Sequence, residues 1–80
     1  MPAEDQFHLA SLVVMARPEH MPHLTQHITQ IPGGEIHARE NGKLVVTLEA
    51  SSNKTLIQRI DQLQALENIV SSALVYHHFQ

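Results

Sequence analysis

Residues 8–16 read HLASLVVMA, and this stretch limits the fold more than any other. Its composition is that of a β-strand, whose side chains alternate between two faces. One parity is Ala10, Leu12, Val14 and Ala16; the other is Leu9, Ser11, Val13 and Met15. Both are largely apolar, and no formal charge interrupts the run. A chain of 80 residues makes one small domain (residues 1–80) with two layers at most. Its own helices can cover one face of a sheet. The other face stays open, or something else covers it.

The rest of the chain supplies the partners for that strand. Residues 1–6 read as a frayed tail, and strand one runs from about Phe7 to Ala16, ended by Arg17-Pro18. Met21, Leu24, Ile28 and Ile31 then recur at the helix period, with the helix starting near Met21 or Pro22, where proline is tolerated. Pro32-Gly33-Gly34 stops it. EIHARE alternates as strand two, and Asn41-Gly42 is a strong two-residue hairpin signal. KLVVTLEA follows as strand three. Ser51-Ser52-Asn53 offers N-caps for a second helix, NKTLIQRIDQLQAL, with Leu56, Ile60 and Leu63 as its stripe and Ile57 beside it. IVSSALVYH closes the chain as strand four. The order β-α-β-β-α-β predicts a ferredoxin-like α+β fold: a four-stranded antiparallel sheet with two helices on one face and strands one and three central.

Apolar content assigns the faces. Ala10, Leu12, Val14, Ile36, Ala38, Leu44, Val46, Leu48, Leu74 and Tyr76 are expected beneath the helices. The open face then carries Leu9, Ser11, Val13, Met15, Val45, Thr47, Ala73 and Val75, rimmed by Glu35, His37, Arg39, Glu49 and His77. A contiguous apolar patch of this kind marks an interaction site. A partner covering ~400 Å² of it would gain roughly 10 kcal/mol at ~25 cal/mol/Å². Association costs of ~4–15 kcal/mol would offset most of that. The rim charges would then have to supply specificity, and a sheet-on-sheet homodimer is one possible occupant.

Several chemistries are disfavoured. The net charge of −3 argues against nucleic acid, whose phosphates call for clustered Lys and Arg. Base-stacking aromatics are missing from the middle of both central strands. No cysteine is present, which removes thiolate nucleophiles, Cys–metal sites and a CxxC copper pair. Arg17 follows strand one, but Pro18-Glu19 replaces the glycines of an anion-cradling loop. His20, His23 and His27 share one helix face without a local Asp, Glu or Cys, so no metal site is assigned. His77 and His78 are adjacent on a strand and would point to opposite faces. No catalytic constellation emerges, so an enzyme is not expected. The acidic start, MPAEDQF, is unlike a secretory n-region, and no apolar run is long enough to span a bilayer. A cytoplasmic protein without direct membrane insertion is the expectation.

SLVV at Ser11–Val14, Pro32-Gly33 with Glu35, TLIQ at Thr55–Gln58 followed by Ile60, and LVYH at Leu74–His77 together resemble the NapD family. The resemblance runs from about His8 to His77. It implies a cytoplasmic chaperone that binds the twin-arginine signal peptide of NapA, the catalytic subunit of the periplasmic nitrate reductase. Binding would delay export until the client's molybdenum cofactor and Fe–S cluster are inserted; the chaperone itself would carry no cofactor. Such a leader joins a basic segment to an apolar one. The apolar part is expected on Leu9, Val13, Met15, Val45 and Val75. Its arginines are expected near Glu35, Glu49 or the acidic tail at Glu4 and Asp5. The histidine-rich first helix, and the end of the chain soon after strand four, are departures from the family pattern. A homodimeric regulatory domain binding a small ligand is the alternative.

Overall fold

Alternating strands and two helix-period stretches produce, in order, β1 (His8–Ala16), a 3-10 turn (Pro18–His20), α1 (Met21–Thr29), β2 (Gly34–Glu40), β3 (Lys43–Ala50), α2 (Asn53–Gln64) and β4 (Ile69–Phe79). The computed structural model describes residues 8–79, without the side chains of 77–79. The expected frayed tail, the strand start at Phe7, and Glu4 and Asp5 lie outside the described residues. The sheet is antiparallel in the order β2-β3-β1-β4, so β1 and β3 are central. This is the expected ferredoxin-like α+β arrangement.

Local chemistry sets the element ends. Pro18 opens the 3-10 turn and Pro22 sits in the first turn of α1, where a missing N–H costs nothing. The Thr29 hydroxyl bonds back to the carbonyls of Thr25 and Gln26, both at 3.0 Å, as α1 ends. Ile31, which the spacing placed on the helix, lies two residues past its end and is still buried. Ser52 caps α2: its Oγ accepts from the Thr55 amide at 3.1 Å. Asn41 and Gly42 adopt φ values of 47° and 82°, as a tight hairpin of this kind requires. The Gly42 carbonyl then accepts from the Ala16 amide at 2.8 Å, tying the hairpin to the end of β1.

The core lies between the sheet and the helices. Ala10, Leu12, Val14, Leu44, Val46 and Leu48 from the central strands meet Leu24, Ile28, Leu56 and Leu63 from the helices. The parity expected for the central strands holds along their full length, because β1 and β3 pair without a break from His8↔Ala50 to Met15↔Lys43.

The edge strands depart from simple alternation. In β2 the pairing steps from Ile36↔Val46 to Ala38↔Val45, leaving His37 as an extra residue. A bulge shifts the parity of everything beyond it. Ala38, expected beneath the helices, therefore stands opposite Val45 on the open side. Arg39, expected on the open rim, stands opposite Leu44 on the helix side. In β4 the pairing steps from Leu12↔Leu74 to Ser11↔Tyr76 across Val75. Tyr76, expected on the helix side, is thus carried to the open face and is 50% exposed. His77, expected on the open face, pairs instead with Ala10, and its side chain lies outside the described residues. A second irregularity, at Val70, lies between Met15↔Ser71 and Ala16↔Ile69. Leu74 keeps its helix-side parity yet is 48% exposed, since the helices leave that edge half open.

Candidate functional site

Face-sharing neighbours in an antiparallel sheet stand directly opposite one another, so the register resolves the open face into rows. One row is Glu35, Thr47, Ser11 and Tyr76. The next is Ala38, Val45, Val13 and Ala73: four apolar side chains in line, one from each strand. Beyond it lie Glu40, Lys43, Met15 and Ser71. At the opposite end Leu9 faces Glu49. Val13 and Val45 are half-buried by their sheet neighbours and belong to no part of the helix-covered core.

Each expected contact residue can now be placed. Leu9, Ser11, Val13, Val45 and Thr47 are half-buried on this face, while Met15, Glu35, His37, Glu49, Ala73 and Val75 are exposed. Polar chemistry gathers at the β2–β3 side. His37 Nε2 and Thr47 Oγ1 share a hydrogen bond of 2.7 Å, and Glu35 Oε1 lies 3.4 Å from the same nitrogen. The bulge makes this possible, because the extra residue brings His37 back over the row that holds Glu35 and Thr47. Glu35 and Glu49 come to the same end of the sheet because the Gly33-Gly34 turn folds β2 against that end of β3. There the Gly33 carbonyl accepts the Glu49 amide at 3.1 Å, with Gly33 at a φ of 82°. A Cβ at Gly33 would run into the Glu49 carbonyl oxygen.

Two residues of this face, Ala38 and Tyr76, escape a reading by alternation. The polar end of Tyr76 is an indirect sequence signal, and nothing local marks Ala38.

The arrangement suits adsorption of an apolar segment with a cationic end. The apolar row supplies dispersion and hydrophobic contact, and Glu35 and Glu49 supply acceptors for guanidinium groups at one end. Nothing in it resembles a nucleophile held by a base. Among the described residues, no three His, Asp or Glu side chains converge in a metal-binding arrangement. On α1 the His23 and His27 rings pack against each other, with centroids 4.3 Å apart. A concavity of about 420 Å³ between Pro18, Met21, Pro22 and Arg39 lies at the hairpin end on the helix side, away from the rows. No helix among the described residues is long and apolar enough to cross a membrane.

Comparison with known proteins converges on one group. The family model described as NapD protein matches residues 7–80. The chain is 34% identical over 71 residues to Chaperone NapD of Escherichia coli K12, covering 86% of this chain and 82% of that protein. To Chaperone NapD of Paracoccus pantotrophus it is 33% identical over 69 residues, covering 86% of this chain and 62% of the relative. Among solved structures, the solution structure of the E. coli Tat proofreading chaperone protein NapD superposes with a TM-score of 0.83 at 32% identity, covering 90% of this chain and 78% of that one. An AsnC-family transcriptional regulatory protein from Pyrococcus furiosus shares the fold alone, at a TM-score of 0.72 and 13% identity, over 85% of this chain and 49% of that one.

Proposed function

This chain belongs to the NapD family of chaperones, and we propose that its open sheet face binds the twin-arginine signal peptide of NapA, the catalytic subunit of the periplasmic nitrate reductase. The observation that carries this reading is the apolar row Ala38, Val45, Val13 and Ala73, which crosses the sheet, with Glu35 and Glu49 to one side of it along the strands. A twin-arginine leader has the complementary order, basic residues followed by an apolar stretch. The arginines lie over the Glu35 and Glu49 end, and the apolar stretch runs along the central strands toward Met15.

The dimensions fit such a segment. From Leu9 to Met15 the strand rises six residues, or about 20 Å at ~3.3 Å per residue. A helix covers that length with about 13 residues at ~1.5 Å each. While the leader is docked, its arginines and apolar surface are hidden from the export machinery. Release follows once the client has folded around its molybdenum cofactor and Fe–S cluster, which belong to the client and not to the chaperone. The chain acts in the cytoplasm, before export, and contributes no catalysis.

A titration of the isotopically labelled protein with a synthetic twin-arginine leader, read by NMR shift mapping, tests the proposal. Shifts concentrated on Val13, Val45, Ala38 and Ala73 are expected. An unchanged spectrum, or shifts confined to the outer faces of α1 and α2, overturns it and favours the small-ligand regulatory alternative.

A further inference from the structure

The β2 bulge sets an imidazole beside a carboxylate on the open face. His37 is the extra residue between Ile36↔Val46 and Ala38↔Val45. Its Nε2 lies 2.7 Å from Thr47 Oγ1 and 3.4 Å from Glu35 Oε1. The two contacts are unequal. The shorter one anchors the ring to β3. The longer one leaves Glu35, whose side chain is 71% exposed, free to turn toward another cation. A carboxylate oxygen next to Nε2 favours the tautomer with hydrogen on that nitrogen, so the ring donates and Thr47 Oγ1 accepts. Among the described residues, Glu35 is the only carboxylate within ion-pair distance of His37. On β3, Thr47 carries no charge, Glu49 stands opposite Leu9, and Lys43 pairs with Glu40 in the row beyond Val45. Arg39 and the histidines of α1 lie on the helix side of the sheet.

We infer that His37 is a resident competitor for Glu35, so that capture of the leader's arginine weakens when His37 takes up a proton. The inference rests on the leader docking at the Glu35 and Glu49 end. With a neutral ring, Glu35 has one weak contact, and its remaining lone pairs accept the guanidinium. With a protonated ring, an imidazolium anchored by Thr47 pairs with the same carboxylate and repels the incoming arginine. Arginine keeps its charge throughout, whereas imidazoles change theirs between about pH 5 and 8. The proton thus acts on the polar rim and leaves the apolar row untouched. Exposed pairs of this kind change an equilibrium by no more than about fivefold, so the effect grades binding and does not abolish it.

Calorimetric titration with a synthetic twin-arginine leader lacking histidine, at about pH 7.5 and about pH 5.5, tests this. The readout is each protein's own ratio of the two Kd values. The remaining histidines contribute equally to the parent and to His37→Gln, so a difference between their ratios belongs to His37. The parent's ratio, acid over neutral, should exceed that of His37→Gln by about two- to fivefold. In a Glu35→Gln background the same substitution should change the ratio less, because the carboxylate for which the two cations compete is gone. His37 sits at an exposed bulge of an edge strand, so its replacement should spare the fold; a thermal melt checks this, and His37→Asn serves as a second variant. Equal ratios in the parent and both variants overturn the inference while leaving the docking surface in place. A difference that persists undiminished without Glu35 overturns it as well, since His37 would then act on the arginine alone. A leader that binds at neither pH overturns the docking reading, and this inference with it.

Discussion

Substituting aspartate at two adjacent positions of β1 separates the fold from the binding surface. Leu12 is fully buried between Val46 and Leu74, while its neighbour Val13 is half-buried on the open face between Val45 and Ala73. An 80-residue domain has a total stability of about 4–12 kcal/mol at ~0.05–0.15 kcal/mol per residue. Leu12→Asp loses about 2–5 kcal/mol of packing, and the unpaired buried carboxylate adds several kcal/mol more. That sum matches or exceeds the whole stability, so the variant should lack a cooperative thermal transition. Val13→Asp costs about 1 kcal/mol or less as a strand substitution on a half-solvated face, so the domain should remain folded. Its effect falls on binding instead. Losing the valine contact costs about 1–2 kcal/mol and desolvating the carboxylate about 1–3 kcal/mol. Together these are roughly 2–5 kcal/mol, a weakening of about 30- to 4,000-fold in Kd. Circular-dichroism melts and calorimetric titration with a synthetic leader measure the two effects. If Val13→Asp unfolds the protein while Leu12→Asp survives, the face assignment is wrong by one residue. If Val13→Asp folds and binds the leader with unchanged Kd, the sheet face is not the docking surface.

Ala38→Asp tests the β2 bulge: it should leave the melting temperature within a few degrees of the parent and weaken leader binding about tenfold or more, whereas a helix-side Ala38 would make the same change unfold the domain. Glu35→Gln should weaken binding by no more than about fivefold and flatten its dependence on salt, as measured by titration at two ionic strengths, because an exposed charge pair is worth only ~0.2–1 kcal/mol and is screened. Ser52→Ala removes the cap on the Thr55 amide and should lower stability by about 1 kcal/mol, a fall of ~4–8 °C in Tm, without changing affinity for the leader.

The architecture was legible because its signals are local. Met21, Leu24 and Ile28 announce α1, Asn41-Gly42 announces the hairpin, and the unbroken alternation of HLASLVVMA and KLVVTLEA sets the faces of both central strands. What alternation could not supply is the offset of the edge strands. His37 and Val75 are extra residues only in relation to partners on another strand, and neither bulge carries a glycine or other local mark. A period-2 reading therefore carried Ala38 and Tyr76 to the wrong face. It also missed that the apolar row extends across all four strands. Core positions suffered least, since a misplaced side chain in β1 or β3 would conflict with both neighbouring strands at once.

The unequal regularity of the four strands bears on which length changes the chain tolerates. Deleting Val13 would turn half of β1 over and set either Leu9 and Ser11 or Met15 against the helices, so the fold would be lost. Deleting His37 would instead remove the extra residue: Ile36↔Val46 would be followed directly by Ala38↔Val45, every other side chain of β2 would keep its face, and the sheet would survive without the imidazole beside Glu35 and Thr47. Insertions and deletions that persist in this lineage should therefore cluster in the outer strands. There a single residue gained or lost rewrites the electrostatics of the docking surface while the buried layer keeps its composition.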